Sequence, residues 1–412
     1  MFWEAIILLW TIIDFVRYIY YCRTYRELNK PVKKSIGKNK GVDDFLNDIR
    51  KYPEMFMENL DDIFYHKVIP ENMNYNDVCE AIYFLVNKND DYADDIKHNV
   101  KRIQLHYRKK HNRNIFVGIN HHTFIKFGHT DIKSWFFILP LYIITKLFGL
   151  FIQYYAKYLG YKSYIYPNKM RIWYSEYDSK KGNPTIYMHS SVGGISFIYM
   201  LLKHYIVNTN IIIPEIPGIS FVEMNTKPPP IHDITYTINS FIETIYTKNI
   251  DIDIRFNLIG HSLGNTICIS YINKYPKQID RYYCIEGLLF TQRILKYYVD
   301  IEKPLITLPF HQISTIPIFY RNMYVQYSLT RLLSIEHCFL YNSDTTKNIK
   351  IIVFHSKNDN RILIEPQLKY ARTKNIPISY HIFTKNLIHG SFILNKNMRE
   401  YILQEIFKKS YK

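Results

Sequence analysis

Ile252-Asp253-Ile254-Arg255-Phe256-Asn257-Leu258-Ile259-Gly260-His261-Ser262-Leu263-Gly264-Asn265-Thr266-Ile267-Cys268-Ile269-Ser270-Tyr271-Ile272-Asn273-Lys274-Tyr275-Pro276 is the stretch whose reading decides the fold. Residues 252–259 alternate and are apolar enough to form a strand. Residues 265–275 carry an apolar face at Ile267, Ile269, Tyr271 and Ile272, and Pro276 ends that helix. Between them Gly260, His261, Ser262, Leu263 and Gly264 spell G-x-S-x-G. A serine on so tight a strand-to-helix turn takes a strained backbone, and glycine two residues to either side relieves the crowding. Ser262 is therefore the candidate nucleophile, with His261 packed beside it rather than taking its proton.

A serine hydroxyl attacks only when a base takes its proton and a third group holds that base. Downstream, Lys350-Ile351-Ile352-Val353-Phe354-His355 reads as a buried strand that enters a polar loop centred on Asp359. Residues 378–383 read as a further strand, leading to Leu387-Ile388-His389-Gly390. Each candidate follows a strand, where loops at the carboxyl ends of a sheet gather reactive groups. Glu286, after the strand Tyr282-Tyr283-Cys284-Ile285, is the rival acid.

With these segments in place the chain resembles the α/β-hydrolase superfamily, its lipase and esterase branch in particular, over residues 166–412. The resemblance implies an α/β fold: a mostly parallel sheet flanked by helices, with a helical cap at about 288–348. It implies Ser262 as nucleophile, His389 as general base and acid, and Asp359 as the group that orients His389. One oxyanion-hole amide would be that of Leu263. The other would come from His189-Ser190-Ser191-Val192-Gly193-Gly194, after the strand 185–188, which is similar to the family's His-Gly-x-x-Gly loop. Serine replaces the first glycine there, so either Ser190 or Ser191 supplies the amide. Ile211-Ile212-Ile213-Pro214-Glu215 is similar to the next strand of the same fold, with Glu215 structural. The apolar cap region suits an acyl chain, and equally suits packing.

Composition narrows the rest. A chain of 412 residues accommodates one α/β domain and a sizeable extension. Its five cysteines (22, 79, 268, 284 and 338) show no C-x-x-C pair, so neither a disulfide framework nor a metal site is expected, and no cofactor is needed. The formal charge of +17 accompanies abundant Lys, Asn, Ile and Tyr throughout, as an AT-rich coding sequence gives. The densest basic stretch, 97–113, reads first as a solvated helix face and second as a surface for anionic lipid headgroups, with no nucleic-acid partner expected.

Residues 1–24 read as a membrane anchor or interfacial helix, dominated by Ile, Leu, Trp, Phe and Tyr and interrupted by Glu4, Asp14 and Arg17. Asp14 and Arg17 lie one helical turn apart and can pair. A cleaved signal peptide fits poorly, since Glu4 stands where a basic residue belongs and no small-x-small site follows. If the segment spans, Arg17, Arg23, Arg26, Lys30, Lys33, Lys34, Lys38 and Lys40 place the bulk of the chain in the cytosol. The absence of a usable Asn-x-Ser/Thr sequon agrees, Asn183-Pro184-Thr185 being excluded by its proline. Residues 25–165 read as a mainly helical extension with a second apolar segment at 135–155, where Lys146 favours a helix on the membrane or under the catalytic domain. Around 63–86 the extension resembles that of some membrane-associated eukaryotic α/β hydrolases. The expected function is a membrane-associated serine hydrolase acting on lipid or small carboxylic esters. An acyltransferase or thioesterase would use the same groups, and a non-catalytic, membrane-bound interaction protein is the reading from a different class.

Overall fold

The computed structural model describes residues 2–28, 30, 40–60, 64, 68–86, 88–122, 139–190, 209–220, 227–247, 254–287, 348–357, 359, 364–373, 375–383, 392 and 395–407. Nearly all of the expected cap, together with Ser191 and His389, lies outside these residues.

The N-terminal part is helical: α1 (Phe2–Leu28), α2 (Lys40–Lys51), α3 (Pro53–Leu60), α4 (Tyr75–Leu85), α5 (Ala93–His111) and α6 (Leu139–Tyr158). Local chemistry sets several ends. Asn74 caps α4, its side chain accepting the Asn76 N–H at 2.8 Å. Asp94 and Asp95 sit at the start of α5 and Arg108, Lys109, Lys110 and His111 at its end, complementing the helix dipole. Asn112 closes α5 in the left-handed region at φ 51°. Val42, Phe45, Leu46 and Ile49 of α2, Val78, Ala81 and Ile82 of α4, and Ile96, Val100 and Ile103 of α5 fall at helical spacing and are buried together. Glu54 of α3 fastens the outside of that bundle, accepting from Tyr107 Oη at 2.7 Å and Lys110 Nζ at 2.8 Å.

Among the described residues eight strands follow: β1 (Lys162–Ile165), β2 (Arg171–Tyr174), β3 (Thr185–Met188), β4 (Ile211–Glu215), β5 (Phe256–His261), β6 (Ile279–Ile285), β7 (Lys350–Ser356) and β8 (Ile378–Phe383). They form one sheet in the order β1-β2-β4-β3-β5-β6-β7-β8. β1–β2 and β2–β4 are antiparallel, and every other pair is parallel. That order, with a strand–turn–helix elbow after β5, is the α/β-hydrolase fold. The described sheet begins at Lys162, where β1 pairs with β2.

Parallel strands are covered on both faces, which is why β3 to β7 read as apolar runs with little alternation. Leu258, Tyr282 and Ile351 face one side, under α7 (Ile231–Phe241) and α8 (Gly264–Lys274), in a core continuous with that of the helical extension. Their neighbours Ile259, Tyr283 and Ile352 face the other side, under α6 and α10 (Lys396–Phe407), while α9 (Ile364–Thr373) joins β7 to β8. Trp173 Nε1 donates to the buried Glu215 carboxylate at 2.9 Å, the structural role expected of that residue.

Helices α1 and α6 touch each other and behave unlike the rest. Ile152 and Ala156 fasten α6 to the sheet, yet Ile144, Leu147, Leu150, Phe151 and Tyr154 on it are exposed. Along α1, Leu9, Ile12, Phe15, Val16, Ile19 and Tyr20 are exposed as well. Among the described residues no helix is long and apolar enough to cross a membrane.

Candidate functional site

The turn after β5 is built around Ser262, whose φ of +51° is in the left-handed region that L residues with a side chain seldom occupy. Its N–H donates to the Ile285 carbonyl at 3.0 Å, so the strained turn is pinned to the end of β6. The two glycines of the motif are steric requirements. A Cβ on Gly264 would lie 2.1 Å from the Met188 carbonyl oxygen at the end of β3. A Cβ on Gly260 would lie 2.4 Å from Oδ1 of Asn265. The spacing read from the sequence thus corresponds to a serine between two close approaches, one to the Asn265 side chain and one to the β3 backbone.

Asn265 is the residue the sequence reading passed over. Fully buried, it donates through Nδ2 to the carbonyls of Ser262 at 3.0 Å and Ile285 at 3.1 Å, and accepts from Tyr282 Oη at 2.8 Å. It is a strut beneath the elbow, and Gly287 as well as Gly260 is small because Asn265 occupies the space beside it. The available signal was an asparagine one turn before Ile269, on the face of α8 otherwise read as apolar.

Leu263 stands at the head of α8, where amide groups have no intrahelical acceptor and the helix dipole favours negative charge. Opposite it, His189 and Ser190 follow β3 and are buried. The Ile216 N–H donates to His189 Nε2 at 3.1 Å, so Nδ1 carries the ring proton and donates to the Ser190 carbonyl at 2.7 Å. That neutral imidazole holds the loop bearing Ser190 against the end of β4. Ser191, the alternative donor, lies outside the described residues.

Burial holds the His189 imidazole down at about 4; its bond to the Ser190 carbonyl opposes the shift and nearby His261 adds to it. A depressed imidazole is protonated first in the unfolded chain, whose value is about 6.5. Its stabilising contribution is whole above pH ~6.5 and is lost as pH falls from there to about 4. The total is on the order of 3 kcal/mol. Urea unfolding of wild type and His189→Gln at pH 7 and pH 4.5 should show a flatter dependence in the variant. An equally steep variant would remove His189 as the source.

Both candidate acids are buried. Asp359, after β7, is 2% exposed; its N–H donates to the Ser356 carbonyl at 3.1 Å, and Oδ2 lies 3.9 Å from Nε2 of His355. Glu286, after β6, is fully buried at φ +46°. Its Oε1 accepts the Phe392 N–H at 3.1 Å, and its Oε2 lies 3.4 Å from His261 Nε2. The structure therefore brings Ser262, Leu263, Ser190 and Asp359 to the carboxyl ends of adjoining parallel strands, the end expected to carry the chemistry. His389, the expected base, lies outside the described residues. Among the described residues no group of three His, Cys, Asp or Glu side chains could hold a metal ion.

No protein-family model matches the chain, and no curated protein sequence matches it. Solved structures similar to it include a carboxylesterase from Bacillus subtilis at 13% identity, covering 64% of this chain and 97% of that one with a TM-score of 0.43. An esterase from Exiguobacterium antarcticum is 14% identical over 61% of this chain and 99% of its own, with a TM-score of 0.43. A carboxylesterase of the thaumarchaeon Nitrososphaera gargenis is 14% identical, over 61% and 99% of the two chains, with a TM-score of 0.42. At these values the fold rests on strand order and elbow geometry rather than on the likeness itself.

Proposed function

We propose that this protein is a membrane-associated serine hydrolase that cleaves carboxylic esters, lipid esters foremost, through an acyl-enzyme on Ser262. The observation that carries the reading is Ser262 at φ +51° on a turn between a buried parallel strand and a helix N-terminus. A serine is held in that strained conformation where its hydroxyl must stand clear of the chain.

In this mechanism Ser262 Oγ attacks the ester carbonyl as His389 takes its proton. The tetrahedral oxyanion is held by the Leu263 amide and by an amide of the Ser190–Ser191 loop. His389 then passes the proton to the departing alkoxide, the C–O bond breaks, and the alcohol leaves. Water, deprotonated by His389, attacks the acyl-enzyme; the acid departs and Ser262 regains its proton. Asp359 keeps His389 in the right tautomer. Glu286, whose oxygens meet the Phe392 amide and the elbow histidine, is the rival for that task.

The lipid and membrane parts rest on α1 and α6. Two touching helices thus expose many large apolar side chains, and a contiguous exposed apolar patch marks a membrane or protein interaction site. Asp14 on α1 is equipped for an apolar medium: Oδ1 accepts from Arg17 Nη1 at 2.6 Å and Oδ2 from Trp10 Nε1 at 2.7 Å. Such a triad contributes little in water, but it lowers the cost of placing a carboxylate near lipid, about 2.5–3.5 kcal/mol on insertion scales. Because α6 is fastened to the sheet, the two helices would lie along a bilayer surface, with exposed Arg23, Arg26 and Lys30 at lipid headgroups.

Removing residues 1–24 is expected to move most of the protein from the floating to the soluble fraction when it is centrifuged with anionic phospholipid vesicles. Full retention on the vesicles would place the attachment elsewhere, at α6 first. The functional reading itself is tested with a panel of esters at matched concentration. Long-acyl glycerol esters in vesicles should be hydrolysed faster than short soluble esters. Failure to hydrolyse any ester in the panel would favour a non-catalytic role.

A further inference from the structure

The buried Glu286 carboxylate joins two parts of the site that are far apart in the chain. Through Oε1 it accepts the N–H of Phe392, 106 residues later, at 3.1 Å. Through Oε2 it meets His261, the residue directly before Ser262, at 3.4 Å. The Phe392 ring completes the junction by packing edge-on against the His261 ring, with centroids 5.2 Å apart. All three residues are essentially excluded from solvent. Phe392 follows His389 by three positions in the sequence.

We infer that Glu286 is a positioning residue, tying the chain just after the proposed base to the elbow that carries the proposed nucleophile. Two physical features support this. A carboxylate buried at the end of a strand is costly unless its oxygens are matched, and here they face a backbone amide and an imidazole. Glu286 also stands at φ +46°, a conformation in which glycine is the less strained choice. A side chain retained against both costs is one whose contacts hold something in place. The serine–base distance tolerates little error, since a displacement of about 1 Å costs roughly 10²-fold in rate.

This rests on the serine-hydrolase reading, and the test separates the two. Glu286→Gln keeps an acceptor oxygen for the Phe392 amide. Glu286→Gly removes the carboxylate while relieving the backbone strain. Amide hydrogen exchange of full-length wild type and both variants is read over the segment containing Phe392. With Glu286→Gly, protection of that segment should fall roughly tenfold or more, as for a buried N–H left without its acceptor. Protection of β5 and β6 should hold, and Glu286→Gln should stay close to wild type. In parallel, ester hydrolysis by Glu286→Gly should lose about 10²-fold in kcat with KM little changed, and Glu286→Gln should recover most of it.

If Glu286→Gly leaves exchange near Phe392 unchanged, the tether is absent and the inference fails. A Glu286→Gly protein made more stable without local loss of protection overturns it equally, since the carboxylate would then be a bystander at a strained position. Should the wild type hydrolyse no ester, the functional reading fails while the exchange result still decides the tether.

Discussion

Ser262→Ala is expected to lower ester turnover by at least about four orders of magnitude with the fold intact. The substitution removes one oxygen and leaves the backbone at φ +51° with a Cβ as before, so the local strain is nearly the same. The Ser262 N–H bond to Ile285 and the Asn265 bond to the Ser262 carbonyl are main-chain interactions at residue 262 and survive the change. Circular dichroism and melting temperature should therefore match wild type while hydrolysis disappears. Turnover within tenfold of wild type would mean that another group attacks the ester.

Gly264→Ala should have the opposite profile, with large damage to structure and, through it, to activity. The new Cβ would stand 2.1 Å from the Met188 carbonyl oxygen and 2.7 Å from that of His189. Both are backbone atoms at the end of a buried parallel strand, so neither can swing aside. The helix head must move away from β3, carrying the Leu263 amide away from the Ser190 loop. Overpacking of this kind costs on the order of 3 kcal/mol. Thermal unfolding should show a marked drop or no folded protein, and any folded fraction should hydrolyse ester poorly. A wild-type melting temperature would show that the elbow does not approach β3 this closely.

These two variants also show which parts of the molecule could be read from sequence. The elbow is local: a strand, five residues and a helix carry the steric demands at Gly260 and Gly264 within a few positions of Ser262. The strands β3 to β7 are legible as apolar runs because both faces of a parallel sheet are covered. Asp359 is legible as a candidate because it follows such a run; the structure adds that it is buried.

What escaped the reading depends on partners distant in the chain. Glu286 looked like a rival acid because its strand ends at the right height. Its engagement with Phe392 has no local signature, since the two are 106 residues apart and meet only in the folded chain. His189 resembled an oxyanion-loop residue and proves to bridge Ser190 to Ile216, which requires β3 and β4 to be neighbours. Asn265 was masked by a helix face counted only for its apolar members. For α1, composition gives its greasy character and helical spacing the Asp14–Arg17 pair, whereas the exposure of its apolar side chains follows from three-dimensional placement.

The most direct measurement is covalent labelling of the folded, detergent-solubilised protein with a fluorophosphonate probe, followed by peptide mapping of the adduct. An activated serine displaces fluoride from phosphorus and retains the phosphonyl group, whereas an ordinary serine does not react. The expected result is a single adduct on Ser262, absent from Ser262→Ala and greatly slowed in His389→Ala. No adduct on a demonstrably folded protein, or an adduct on a different serine that persists in Ser262→Ala, would contradict the assignment of Ser262 as the nucleophile.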